Sequence, residues 1–116
     1  MSSWQEGFIE ATQFAMQNKK AIYHIYNSAN HIQLERYLYQ ISQELMFSFV
    51  KEQAKGLNVT DEDIIYISLF YKHAVVGIIL EWLQRGMKDN PEPVIHKIGK
   101  IFEGNIRQTL ERIHNT

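Results

Sequence analysis

Glu111 and His114 stand three residues apart in Glu111-Arg112-Ile113-His114. On a helix that spacing sets a carboxylate and an imidazole on one face, the step used by di-metal carboxylate bundles. Such a centre needs a second Glu-x-x-His step, and the sequence has none. No metal site is therefore expected. Glu92 and His96, four apart, suit a contact on a helix surface, and His24 and His31 flank a turn with neither acids nor cysteines beside them. The nucleophile elbow Gly-x-Ser-x-Gly, the zinc motif His-Glu-x-x-His, the phosphate-binding loop and the glycine-rich dinucleotide fingerprint are all missing from the chain. With zero cysteines, thiol nucleophiles and cysteine zinc sites drop out as well. The expectation is a protein that is not an enzyme and needs no cofactor.

What remains is chemistry suited to binding. His73 lies in the most apolar part of the chain, where an imidazole either hydrogen-bonds a bound polar molecule or is paired within the protein. Tyr23, Tyr26, Tyr37, Tyr39, Phe47, Tyr66, Phe70, Tyr71 and Trp82 add an aromatic inventory. A tyrosine offers an apolar wall with one hydroxyl, which fits the lining of a small-molecule cavity and fits a plain core equally well. The specific expectation is a cavity between two long helices, spanning 31–55 and 61–85, reached by Tyr37, Tyr66, Phe70 and His73.

The elements that must position these groups are helices. Only two prolines occur, both between Asn90 and Val94, so nothing upstream forbids helix. Trp4, Phe8, Ala11 and Ala15 form one apolar stripe that stops near Asn18-Lys19-Lys20, and Ala21 to Tyr26 is a short piece before the turn formers Asn27-Ser28-Ala29-Asn30. Leu34, Leu38, Ile41, Leu45 and Phe49 mark a long amphipathic helix from about His31 to Lys55. Thr60-Asp61-Glu62-Asp63 is a strong helix start: a hydroxyl to accept from an early N–H, and carboxylates against the positive end of the dipole. The run from Asp61 to Arg85 is too long for a strand and apolar on most sides, so it must be central. Gly86 ends it, and Asn90-Pro91-Glu92 opens a last helix expected to continue to the C-terminus. The fold class is all-α, a bundle of about five helices.

At 116 residues and 13.7 kDa, with 45% hydrophobic residues, residues 1–116 make one domain. Such a chain buries roughly 65% of its unfolded surface and needs no disulfide. Twelve Lys and Arg against thirteen Asp and Glu leave a net charge of −1, which provides no basic field for a phosphate backbone. The start Met1-Ser2-Ser3-Trp4-Gln5-Glu6 does not read as a signal peptide, and the longest apolar stretch, Ala74 to Leu80, is far short of the ~20 residues of a membrane span. Asn58-Val59-Thr60 matches a glycosylation sequon but reads as a loop whose threonine caps the next helix.

The last two helices carry more apolar surface than so few helices can cover. Val94, Ile98, Ile101, Phe102, Ile106 and Leu110 fall in line on the last, with Gly99 and Gly104 small enough to admit a close neighbour. A homodimer in which these helices pair with their symmetry mates is expected, through those six residues.

The stretch from Phe70 to Glu92 resembles the C-terminal regulatory domain of the TetR family of transcriptional regulators. It is most similar to the subgroup that includes regulators of dihydroxyacetone kinase operons. The resemblance rests on Phe70-Tyr71, Gly77, Trp82, Gly86-Met87 and Pro91-Glu92, with Asn90 where the family often caps with Ser or Thr. It implies a bacterial, cytoplasmic domain that binds a small-molecule effector and dimerises. DNA would be contacted only through an N-terminal helix-turn-helix, which this chain does not include. A reading from another class is a structural helical module that docks a partner protein and takes no small molecule.

Overall fold

Helix boundaries follow local chemistry. Thr60 opens α4 (Asp61–Gln84) with a capping box: its hydroxyl accepts from the Asp63 N–H at 3.1 Å, while the Asp63 carboxylate accepts from the Thr60 N–H at 3.0 Å. The other end closes as a Schellman motif, with the Gly86 N–H donating to Leu83 O and the Met87 N–H to Trp82 O, both at 3.0 Å. Gly86 takes φ +91°, a left-handed conformation that costs a glycine nothing. The turn drives Met87 into the core, and the Trp82 Nε1–H bonds Asp89 O at 2.8 Å across it. Asn90 then accepts from the Glu92 N–H at 3.1 Å to open α5 (Pro91–Phe102).

The structure, a computed structural model, describes residues 3–102 and 104–116. Among these, α1 (Ser3–Gln17), α2 (Lys19–Tyr26) and α3 (His31–Gln53) precede α4 and α5, α6 (Asn105–His114) follows, and there is no strand. The all-α fold agrees with the sequence reading, with one correction. The last helix is not continuous: Gly104 adopts φ +82° and divides it into α5 and α6. Only a residue without a Cβ turns the chain this way cheaply, and the turn lets α6 send Ile106 and Leu110 inward.

α4 builds the core from one of its sides. Ile64, Ile67, Tyr71, Val75 and Ile79 on one side join Met46 and Val50 of α3, Trp4 and Phe8 of α1, Ile95 and Ile98 of α5, and Ile106 and Leu110 of α6. Trp82, Leu83 and Met87 form a second cluster with Met16, Ile22, Tyr23 and Leu38, where the Tyr23 hydroxyl donates to Leu83 O at 3.2 Å. α4 is long and apolar enough to cross a membrane, and here one side of it packs into the core. α1 runs antiparallel to α5, bringing Gln13 to Glu92 and Gln5 to Gly99. The C-terminal helix is tied down: Asn58 N–H donates to His114 Nδ1 and Arg107 Nη1 to Gln53 O, each at 2.6 Å.

Candidate functional site

α1 meets α3 closely at Gly7, where an added Cβ would stand 3.0 Å from Leu45. Beyond that point α1 to α4 border an open-sided cavity of about 550 Å³. Phe8, Ala11 and Ala15 come from α1, Leu34, Leu38, Ile41 and Leu45 from α3, and Ile79, Trp82 and Leu83 from α4. Phe14 and Tyr37, both exposed, stand at its rim. Its polar groups are few: Glu10, Thr12, Tyr37 and Ser42, with no Lys, Arg or His in the lining. A large apolar volume with a few oriented polar groups is the usual form of a small-molecule site.

The four residues expected to share a cavity are not brought together. Tyr37 lines the one just described. Tyr66, Phe70, which is 72% exposed, and His73 lie on the outer side of α4 and do not reach it. α3 and α4 pack directly against each other and bury Met46, Val50, Ile67 and Val75. His73 instead lies tilted against Tyr39, ring centroids 5.3 Å apart and planes at 54°, with Lys72 Nζ 5.8 Å from the same tyrosine ring. The reason is that α4 carries apolar side chains around most of its circumference, so periodicity marks several stripes without saying which one faces inward. Ser42, a hydroxyl on the otherwise apolar stripe of Leu38, Ile41 and Leu45, also belongs to the lining, and that polar interruption is its signal in the sequence.

The outer side of α4, carrying Tyr66, Phe70 and Gly77, is uncovered, as are Val94 and Ile101 of α5, the latter 61% exposed. Of the six residues expected at a dimer interface, Ile98, Ile106 and Leu110 instead fill the chain's own core. Phe102 is half-buried with its ring edge-on to Tyr71 at 4.8 Å. Gly99 serves an internal contact as well, since a Cβ there would run into the Gln5 side chain of α1. The break at Gly104 accounts for Ile106 and Leu110, because it turns α6 off the line that a continuous helix would follow, whereas Ile98 faces inward on α5 itself. Burial raises the Tyr71 phenol above its ordinary pKa.

A second hollow, about 510 Å³, lies between the start of α1, the end of α3 and the α5–α6 corner. Trp4, Met46, Phe49 and Ile106 line it along with His96, Lys97, Lys100 and Arg107. Arg107 is committed to Gln53 O and lies 3.7 Å from Glu111. The α1–α4 cavity is the stronger candidate because α4 itself forms its wall.

A TetR-type family model described as the transcriptional regulator C-terminal region matches residues 2–104. The chain belongs to the TetR family, as a C-terminal regulatory domain. This TetR-family domain is a regulatory module and not an enzyme. The match spans α1 to α5, and so takes in both the cavity and the uncovered face, while α6 lies beyond it. Among curated proteins and among solved structures, nothing matches the chain. Among the described residues no group of three or more His, Asp or Glu comes together. The Glu111 and His114 pair is spent on Arg107 and on the Asn58 N–H.

Proposed function

We propose that the domain senses a small-molecule effector in the α1–α4 cavity and forms a homodimer through the outer face of α4 and α5. One observation carries this reading: α4 is at once the cavity wall, through Ile79, Trp82 and Leu83, and the bearer of the uncovered Tyr66, Phe70 and Gly77. A ligand that shifts α4 shifts whatever packs on its other side, which is a coupling between two sites through one rigid element. Val94 and Ile101 of α5 add further exposed apolar side chains, and exposed apolar surface of this kind suits association.

In this proposal the effector changes the spacing of N-terminal helix-turn-helix units outside this domain, and these alone touch DNA, in the bacterial cytoplasm. The placement in the subgroup of dihydroxyacetone kinase operon regulators rests on the sequence resemblance at Trp82, Gly86-Met87 and Pro91; Asn90 departs from the Ser or Thr frequent there and caps α5 in its place. The uncovered face also suits the second reading, a module docking a partner protein without a small molecule.

Light scattering on a size-exclusion column should return twice 13.7 kDa at micromolar concentration. Differential scanning fluorimetry against a library of small apolar compounds should give concentration-dependent stabilisation. A monomer that responds to no compound would overturn the proposal. A stable complex with another protein and no small-molecule response would establish the second reading.

A further inference from the structure

The hollow between the start of α1, the end of α3 and the α5–α6 corner divides its chemistry in a way that the α1–α4 cavity does not. Its apolar part is aromatic. Phe49 and Phe102, both half-buried, belong to the lining, and Trp4 stands edge-on to Phe49 with ring centroids 6.4 Å apart. Its charged part is cationic: His96, Lys97 and Lys100 come from α5 and Arg107 from α6. Among the described residues the lining includes no Asp or Glu. In a chain whose net charge is −1, this is a local positive field rather than a general one.

The four cations are not equivalent. Arg107 donates to Gln53 O at 2.6 Å and lies 3.7 Å from Glu111, and His96 lies 3.9 Å from Glu92, so acceptors outside the hollow already engage both. Lys97 and Lys100 are exposed and three positions apart, which sets them on the same side of α5. Their long stems can carry an ammonium across the mouth of the hollow. That mouth is open to solvent, so a charged head resting there keeps part of its water while the lysines attract it.

We propose that this hollow binds an amphiphilic anion, with an apolar chain or ring laid against Phe49 and Phe102 and one carboxylate held at the mouth by Lys97 and Lys100. A volume of about 510 Å³ is ample for a small molecule of this kind. The occupant touches α1, α3, α5 and α6 together, and so ties the C-terminal helix to the rest of the domain. The site is separate from the α1–α4 cavity, and the two readings stand or fall independently.

The test uses octanoate, 1-octanol and octylammonium, one chain with three heads, titrated into the isotope-labelled protein and followed by two-dimensional NMR. Octanoate should move the backbone amides of Gly99, Gly104 and Ile106, which line the hollow, and leave in place those of Leu38, Ile41 and Leu45, which line the α1–α4 cavity. At this site it should bind at least about fourfold more tightly than 1-octanol, and octylammonium more weakly than either. Raising salt from about 20 to about 500 mM should weaken octanoate alone. The double variant Lys97→Gln with Lys100→Gln changes only exposed positions; it should lose about 4- to 25-fold in octanoate affinity, roughly 2- to 5-fold per exposed ion pair, and keep its affinity for 1-octanol. Lys20→Gln on α2 should change neither. Shifts confined to Leu38, Ile41 and Leu45 would put octanoate in the other cavity and overturn the proposal. Equal affinity for octanoate and 1-octanol, a salt-independent octanoate affinity, or a double variant that binds octanoate as the wild type does would each remove the cationic role, and the proposal with it. No shift from any of the three at millimolar concentration would overturn it too, and would leave the α1–α4 reading to its own test.

Discussion

Gly77 sits mid-way along the uncovered face of α4, exposed, and a Cβ built on it meets nothing within 4 Å. Inside one chain the residue therefore has no packing role. A glycine in the middle of a helix nevertheless costs roughly 0.5–1 kcal/mol relative to alanine, through the backbone freedom it loses on folding. In a monomer, Gly77→Ala should recover that amount and raise Tm by about 2–6 °C. A symmetric pair of α4 helices crossing at Gly77 reverses the sign for association. Each added methyl then presses on the partner helix, and overpacking of this kind costs about 1–3 kcal/mol per site. Two symmetric sites should raise the dimer dissociation constant by at least about tenfold.

Urea melts at low and high micromolar concentration, paired with sedimentation velocity, separate the two effects. The variant should outlast the wild type when dilute and dissociate at concentrations where the wild type stays paired. A variant that gains stability at every concentration with its dimer intact would refute a crossing at Gly77. A wild type that is monomeric throughout would refute the association altogether.

Ile98→Ala should cost about 2–4 kcal/mol in urea denaturation, because its side chain is buried between α5 and the core. Ile101→Asp should leave monomer stability within about 0.5 kcal/mol and abolish the dimer in light scattering; the opposite ranking would mean that the two sides of α5 are exchanged. Thr60→Ala removes one half of the capping box and should destabilise by about 0.5–2 kcal/mol, and an unchanged urea midpoint would contradict the cap. Burial holds the Tyr71 phenol above 10.0, so the folded state keeps its proton longer than the unfolded one. Stability from this source is complete below pH 10.0 and is lost as pH rises through the folded value. Melting curves from about pH 9 to 11 should show a shallower alkaline decline in Tyr71→Phe than in the wild type, and parallel declines would refute the assignment.

The parts of this fold that can be read from the sequence are those decided within a few residues. Thr60 and Asp63 satisfy each other three positions apart, Gly86 and Met87 close α4 on its own last turn, and Asn90 caps α5 two residues on. Such signals need no knowledge of the rest of the chain. Gly104 shows where that ends, because a glycine in an apolar periodic run serves equally as a helix break or as a place of close approach. Only the inward turn of Ile106 and Leu110 separates the two.

The site demanded more than local signals for the same reason. Tyr66 and Phe70 are chemically interchangeable with Tyr71 and Ile67 as core formers, and which pair turns inward depends on where α3, α5 and α6 come to rest. Tyr37 reached the cavity while Tyr66, Phe70 and His73 did not, and Ile98 went to the core while Ile101, three residues on, did not. A helix that walls a ligand cavity on one side and meets a second copy on the other must be apolar on both. The property that would let α4 couple the two sites is therefore the one that hides, in the sequence, which side is which.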